Sequence, residues 1–176
     1  DYNNVGEEAS LGSFPEGDAF SRLVFPEPSP GTENNPTSAP VQVVINEWMS
    51  DNEAVLSDRL DGQFEDWFEL YNPSTNDTDL HGYTLPDDFS ETNMFTVPPG
   101  MVVPAGGFLL VWADGDPGQN GLGSDLHVNF RLSRNGDCIG LYAPSGSLVD
   151  SVVFGSQDKD QSFGWWPDGA PGTYIM

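Results

Sequence analysis

The stretch Asp66-Trp67-Phe68-Glu69-Leu70-Tyr71-Asn72-Pro73-Ser74 specifies a β-strand, both of its faces and its end. Trp67, Glu69 and Tyr71 project to one side of the pleat, Phe68 and Leu70 to the other. Aromatic residues suit a half-buried sheet surface, and Asn72-Pro73-Ser74 closes the run because proline has no N–H to give to the next ladder rung. A strand with two specified faces needs partners on both edges and a second layer to cover it. The rest of the chain has to supply them.

It does so with more short apolar runs divided by Gly, Pro, Asn and Asp. Val41, Val43, Val44 and Ile45 are nearly continuous and call for burial on both faces. Ser50 to Gln63 reads as a long acidic loop with room for one helical turn, a length at which function often resides. Leu80–Leu85 and Phe95–Val97 read as short strands, and Met101-Val102-Val103-Pro104 leads through Ala105-Gly106-Gly107 into the next run. Phe108–Ala113 is the most apolar run and is expected at the centre of a sheet. Arg134-Asn135-Gly136-Asp137 has the signature of a type I′ hairpin joining Asp125–Ser133 to Cys138–Ala143, and Leu148–Phe154 follows after another turn. With no useful segment of helical period, the pattern predicts an all-β sandwich over residues 41–176, with Phe68, Leu70, Leu109, Val111, Ile139, Leu141 and Val152 in its core.

Five basic residues face 28 acidic ones, a formal net charge of -23, which excludes nucleic acid and anionic bilayers as natural partners. No apolar run approaches the ~18 residues of a membrane span, so direct membrane insertion is not expected. In a salty exterior, screening over about 8 Å or less would blunt the self-repulsion. Cys138 is the sole cysteine, which leaves no intramolecular disulfide and no CxxC zinc cluster; it reads as a small buried apolar residue.

Several of these segments together resemble the bacterial lamin-tail domains: Val44-Ile45-Asn46-Glu47-Trp48-Met49, Asp66 to Pro73, Leu80-His81-Gly82-Tyr83-Thr84-Leu85, Val103 to Ala113, His127 to Ser133 and Leu148 to Phe154, in order and at the family's spacing. The resemblance covers residues 41–176. It implies an immunoglobulin-like β-sandwich and an accessory module of a secreted or surface protein, and it brings no catalytic residues with it.

Before this domain lie residues 1–34 and a Pro-bounded linker, 35–40. Ser10-Leu11-Gly12-Ser13-Phe14-Pro15-Glu16-Gly17 matches Ser162-Phe163-Gly164-Trp165-Trp166-Pro167-Asp168-Gly169 at four of eight positions, about 150 residues on, roughly one domain length. In the family this pattern belongs to the closing strands. Residues 1–34 are therefore expected to be the end of a preceding repeat copy, and the chain a slice of a tandem array. Leu11, Phe14, Leu23, Val24 and Phe25 are expected to dock on a sheet edge or, through residues 8–25, to exchange strands with a neighbouring molecule.

Nucleophilic catalysis needs a base, and the only imidazoles, His81 and His127, stand in strand contexts without a motif around either. Both read as structural or surface residues. Glu47, Asp66 and Glu69 are the carboxylates a glycosidase would draw on, but their places in the family strands suit a polar face or sheet-edge bonding. The hard cation calcium wants oxygen ligands, and Asp114-Gly115-Asp116-Pro117-Gly118-Gln119-Asn120 packs Asp114, Asp116 and Asn120 into a short flexible loop. That loop departs from an EF-hand, since Gly118 stands where a third ligand belongs and no Glu closes it. Asn76-Asp77-Thr78-Asp79 is similarly incomplete. Trp48, Trp165 and Trp166, outside the most apolar strands, form a candidate binding surface.

The sequence thus predicts a non-catalytic adhesion, spacing or recognition module of an extracellular or cell-surface bacterial protein, with neighbouring repeats or other surface proteins as partners. The alternative is an accessory domain of a secreted hydrolase or nuclease that binds polysaccharide or calcium.

Overall fold

The structure, a computed structural model, describes residues 10–13, 22–25, 42–90, 94–170 and 173–175. The chain divides into two units, residues 1–41 and residues 42–176.

In the first unit β1 (Ser10–Ser13) and β2 (Arg22–Phe25) form an antiparallel hairpin that sets Leu11 opposite Val24 and Gly12 opposite Leu23. Phe14, and the side chains of Leu11, Leu23, Val24 and Phe25, lie outside the described residues, and with them the expected docking contacts.

The second unit begins with β3 (Val44–Met49), β4 (Trp67–Tyr71), β5 (Thr78–Asp79), β6 (Thr84–Leu85), β7 (Phe95–Thr96) and β8 (Val102–Val103). It continues with β9 (Phe108–Trp112), β10 (Leu126–His127), β11 (Gly136–Tyr142), β12 (Leu148–Gly155), β13 (Phe163–Trp165) and β14 (Thr173–Ile175). One sheet runs β10-β9-β4-β3-β13-β14 and a second runs β12-β11-β6-β7, with β5 and β8 as a separate pair. The domain is an all-β, immunoglobulin-like sandwich.

β4 lies between β3 and β9, in register from Met49–Trp67–Trp112 to Val44–Tyr71–Phe108. Its Phe68 and Leu70 are fully buried, as are Val111, Ile139 and Leu141, with Leu109 and Val152 nearly so. All seven expected core residues are inside. The opposite face of β4 is only partly wet, because Met49, Trp67 and Trp112 stack across three strands as a second apolar cluster. Asn72 then stops the strand through its amide, which donates to the carbonyls of Asn76 and Val103 while its oxygen accepts from Ser74 N–H.

Three expectations need correction. Phe108–Trp112 is one strand from the sheet edge, capped by the short parallel β10. Within Leu80–Leu85 only Thr84–Leu85 is strand, because Gly82 takes a positive φ of 81° and turns the chain before it. The Asn135-Gly136 turn does not close a hairpin with Asp125–Ser133: of its residues only Gly136 has a positive φ, at 115°, and a type I′ turn requires two. The turn instead passes the chain from one sheet to the other, and β11 pairs with β12 and β6. The acidic loop does hold the expected single helical turn, closed by Gly62 N–H onto the Asp58 carbonyl at 2.9 Å. It is pinned by buried Asn52, whose amide donates to Leu56 and Glu65 carbonyls and whose oxygen accepts from Val55 and Leu56 N–H.

Candidate functional site

Three connections meet at one end of the six-stranded sheet: the loop after β3, the loop after β9 and the segment from β10 onward. Asp114 lies two residues past the end of β9 and is 1% exposed; His127 ends β10 and is also 1% exposed. His127 Nδ1 lies 2.7 Å from Asp114 Oδ2. Asn120 fixes the imidazole-bearing residue by its backbone, accepting from His127 N–H at 2.9 Å and donating to its carbonyl at 2.7 Å.

Asp58, 1% exposed, enters from the acidic loop. Its Oδ1 accepts from Leu60 N–H, while its buried Oδ2 has no partner among the described residues. One carboxylate oxygen each of Asp58 and Asp114 and one ring nitrogen of His127 lie within 4.8 Å of one another, and Asp58, Asp61 and Glu65 make a second such group. Glu65 Oε2 is likewise buried and unpartnered among the described residues. Burial, then the charges of Asp114 and Asp61, push the Glu65 carboxyl above its ordinary range, and Arg131 opposes this only in part. The Arg131 guanidinium is 3.8 Å from Glu65 and 69% exposed.

The expected calcium loop is arranged differently from its spacing. Asp114 turns inward to His127. Asp116 caps the 3-10 turn Pro117–Gln119 by accepting from Gly118 N–H, and Asn120 is committed to the His127 backbone. The three side chains thus serve separate tasks, and Asp114 alone joins the carboxylate cluster. Sequence reasoning missed Asp58, Glu65 and His127 as a group. Two signals were there: His127 is one of only two imidazoles, and Asp58 sits in the loop whose length stood out. His81, by contrast, is exposed, with its N–H bonded to Asp79.

Of the three tryptophans taken as a binding surface, Trp48 is core at 1% exposure, because β3 is covered on both faces, while Trp166 is 65% exposed. Trp165 is half-buried, and its indole N–H donates to Ile45 carbonyl at 2.8 Å. Trp48 packs against Phe154 and Trp165, and these rings with Phe163 and Gln157 line a groove of about 380 Å³ beside β12. The buried Trp48 indole N–H has no partner among the described residues. Gln157, one of the lining residues, accepts from Ser50 N–H and hydroxyl and donates to Trp48 carbonyl.

The glycosidase carboxylates hold structure. Glu47 and Glu69 are paired neighbours across β3 and β4, and Glu69 accepts from Asn46, whose amide also donates to Asp168. Asp66 accepts from Asn52 N–H. Burial foremost raises both the Glu69 and Asp66 carboxyls. Cys138 is partly rather than fully buried, its Sγ 2.9 Å from Asp87 carbonyl; burial raises its thiol.

A two-sheet sandwich of this topology, with its loops gathered at the sheet ends, places the second unit in the immunoglobulin-like class. The family model of the lamin tail domain matches residues 36–156, and the chain belongs to that family. No curated protein matches the chain.

Proposed function

We propose that this chain is a spacing and recognition module from a tandem array in a larger secreted or surface protein of bacteria. The observation that carries the reading is the repeated hairpin. Leu11 and Gly12 sit opposite Val24 and Leu23, and their sequence counterparts Phe163 and Gly164 sit opposite Ile175 and Tyr174. Two segments matched in sequence thus each open an antiparallel hairpin, with registers one residue apart, as expected if residues 1–34 close a preceding copy. In the second unit this hairpin adds to the six-stranded sheet through Gly164–Glu47 and Phe163–Trp48. The first hairpin carries a pattern suited to the same edge of another copy, so neighbouring modules would be stiffened by strand addition.

The comparison of the 176-residue chain with one starting at residue 36 tests this. Light scattering should show self-association of the longer chain, and its thermal midpoint should exceed that of the shorter one. Equal masses and equal midpoints would remove the docking role.

A second reading is supported by the groove at Trp48 and Trp165. Its size is that of a small-ligand site, and its aromatic faces suit a sugar ring of a polysaccharide. Binding of soluble glycans that is lost in Trp165→Ala would support it, and unchanged binding would move it elsewhere.

A further inference from the structure

We propose that Asp58, Asp114 and His127, flanked by Asp61 and Glu65, hold a first-row divalent cation of the zinc or manganese kind. The starting point is an imbalance of charge and bonding. Two carboxylates at 1% exposure and a third at 15% share one small volume, and the nearest guanidinium lies at its rim, 3.8 Å from Glu65 and mostly in water. An ionised carboxylate out of water is costly unless it is paired and fully hydrogen-bonded. The contact between His127 and Asp114 answers for one oxygen. It leaves Asp58 Oδ2 and Glu65 Oε2 buried without a partner among the described residues.

A cation held by Asp58, Asp114 and His127 accounts for the Asp58 side chain, and Glu65 stands in the adjoining group with Asp58 and Asp61. With metal–ligand bonds of about 2.0 to 2.6 Å, two ligands of one ion lie no more than about 5 Å apart. The two ligand groups that share Asp58 each fall within 4.8 Å, so Asp58 stands between them. The site is also built rather than incidental. Asp58 is held by Leu60 N–H, Asp114 Oδ1 accepts from Asp116 N–H, and Asn120 clamps the backbone of His127.

The donor set selects the ion. Calcium is satisfied by six to eight oxygens, whereas an imidazole among carboxylates suits zinc, and the carboxylates extend the fit to manganese. The calcium reading of Asp114, Asp116 and Asn120 is thereby replaced by a different ligand set around the same Asp114.

The test uses the untagged 176-residue chain stripped with chelator, titrated with zinc, manganese or calcium chloride and followed by calorimetry and thermal melting. Zinc should bind at one equivalent and raise the midpoint in proportion to the logarithm of its free concentration. Asp58→Asn and His127→Gln should each weaken zinc by at least about tenfold, the low end of what even outer-shell changes cost. Asp158→Asn, an exposed acid outside the cluster, should leave it unchanged. Binding that survives both cluster variants, calcium binding tighter than zinc, or no stoichiometric binding of any of the three would overturn the proposal.

A second measurement needs no variant to fold. The chain has two histidines, and manganese added below one equivalent should broaden the ring protons of His127 before those of exposed His81. Equal broadening, or His81 first, would assign the ion to the acidic surface at large and overturn the site.

Discussion

Asp150 Oδ2 accepts the Ile45 N–H at 2.8 Å and so ties the edge strand of one sheet to a strand of the other. β13 pairs with β3 only at Glu47 and Trp48, so the ladder ends before Ile45 and leaves its backbone groups to side chains. Asp150 takes the N–H, and Trp165 supplies a donor to the carbonyl. Since Ile45 is fully buried, neither group has water to fall back on.

Removing the acceptor tests that account. Asp150→Ala should destabilise the domain by about 1–3 kcal/mol, the cost of a buried N–H left unsatisfied. Urea unfolding gives the number. A loss below ~0.5 kcal/mol would mean that Ile45 finds another partner.

The pH dependence follows from the same buried acids. Burial is the leading cause that raises the carboxyls of Asp150, Asp66, Glu69 and Glu65. A carboxyl with a raised folded value binds protons more readily when folded, so these groups favour the folded state as pH falls through those values. The gain levels off below the unfolded values, about 4 to 4.5. Asp88, lowered by its bonds to Ser90, works in the other direction from an exposed turn. The thermal midpoint should therefore be higher near pH ~5 than near pH ~7.5, and Asp150→Asn should flatten part of that slope. A midpoint that falls steadily on acidification would contradict the assignment.

The interior offers a sharper contrast. Leu70→Ala empties a fully buried position between two sheets and should cost about 2–5 kcal/mol. Val153→Ala, one strand residue beyond buried Val152 but 73% exposed, should stay within about 0.5 kcal/mol. Similar losses at both positions would be incompatible with this register of β12.

The contrast also shows what could be read from the chain alone. Phe68 and Leu70 announce their face because a strand alternates every second residue, and the same rule placed Ile139, Leu141 and Val152. Trp48 misled when taken apart from its strand: it stands opposite Phe68 in the ladder and is buried with it. Asp58, Asp114 and His127 come together from two loops and the end of β10, and no local spacing encodes a meeting of that kind. What local spacing did suggest, Asp114 with Asp116 and Asn120, reflects turn chemistry: short polar side chains bond nearby backbone before they bond anything else.

The Asn135-Gly136 turn carries the last prediction. Gly136 N–H closes the turn onto Ser133 carbonyl, and β11 then leaves at once to pair with β12. Its φ of 115° lies outside what an L-residue adopts comfortably, and a Cβ built there would stand 2.9 Å from Phe154 carbonyl oxygen on the partner strand. Both faults point the same way, and neither obstacle is a flexible side chain that can swing aside. Gly136→Ala should therefore lose more than the ~1 kcal/mol of an ordinary glycine replacement at positive φ, on the order of 2–3 kcal/mol. Gly146 is the internal control, since it too has a positive φ, 81°, but open space around its Cβ. Gly146→Ala should cost only the backbone strain. If the two variants unfold at the same denaturant midpoint, the close approach of β11 and β12 at Gly136 is not what makes glycine necessary there.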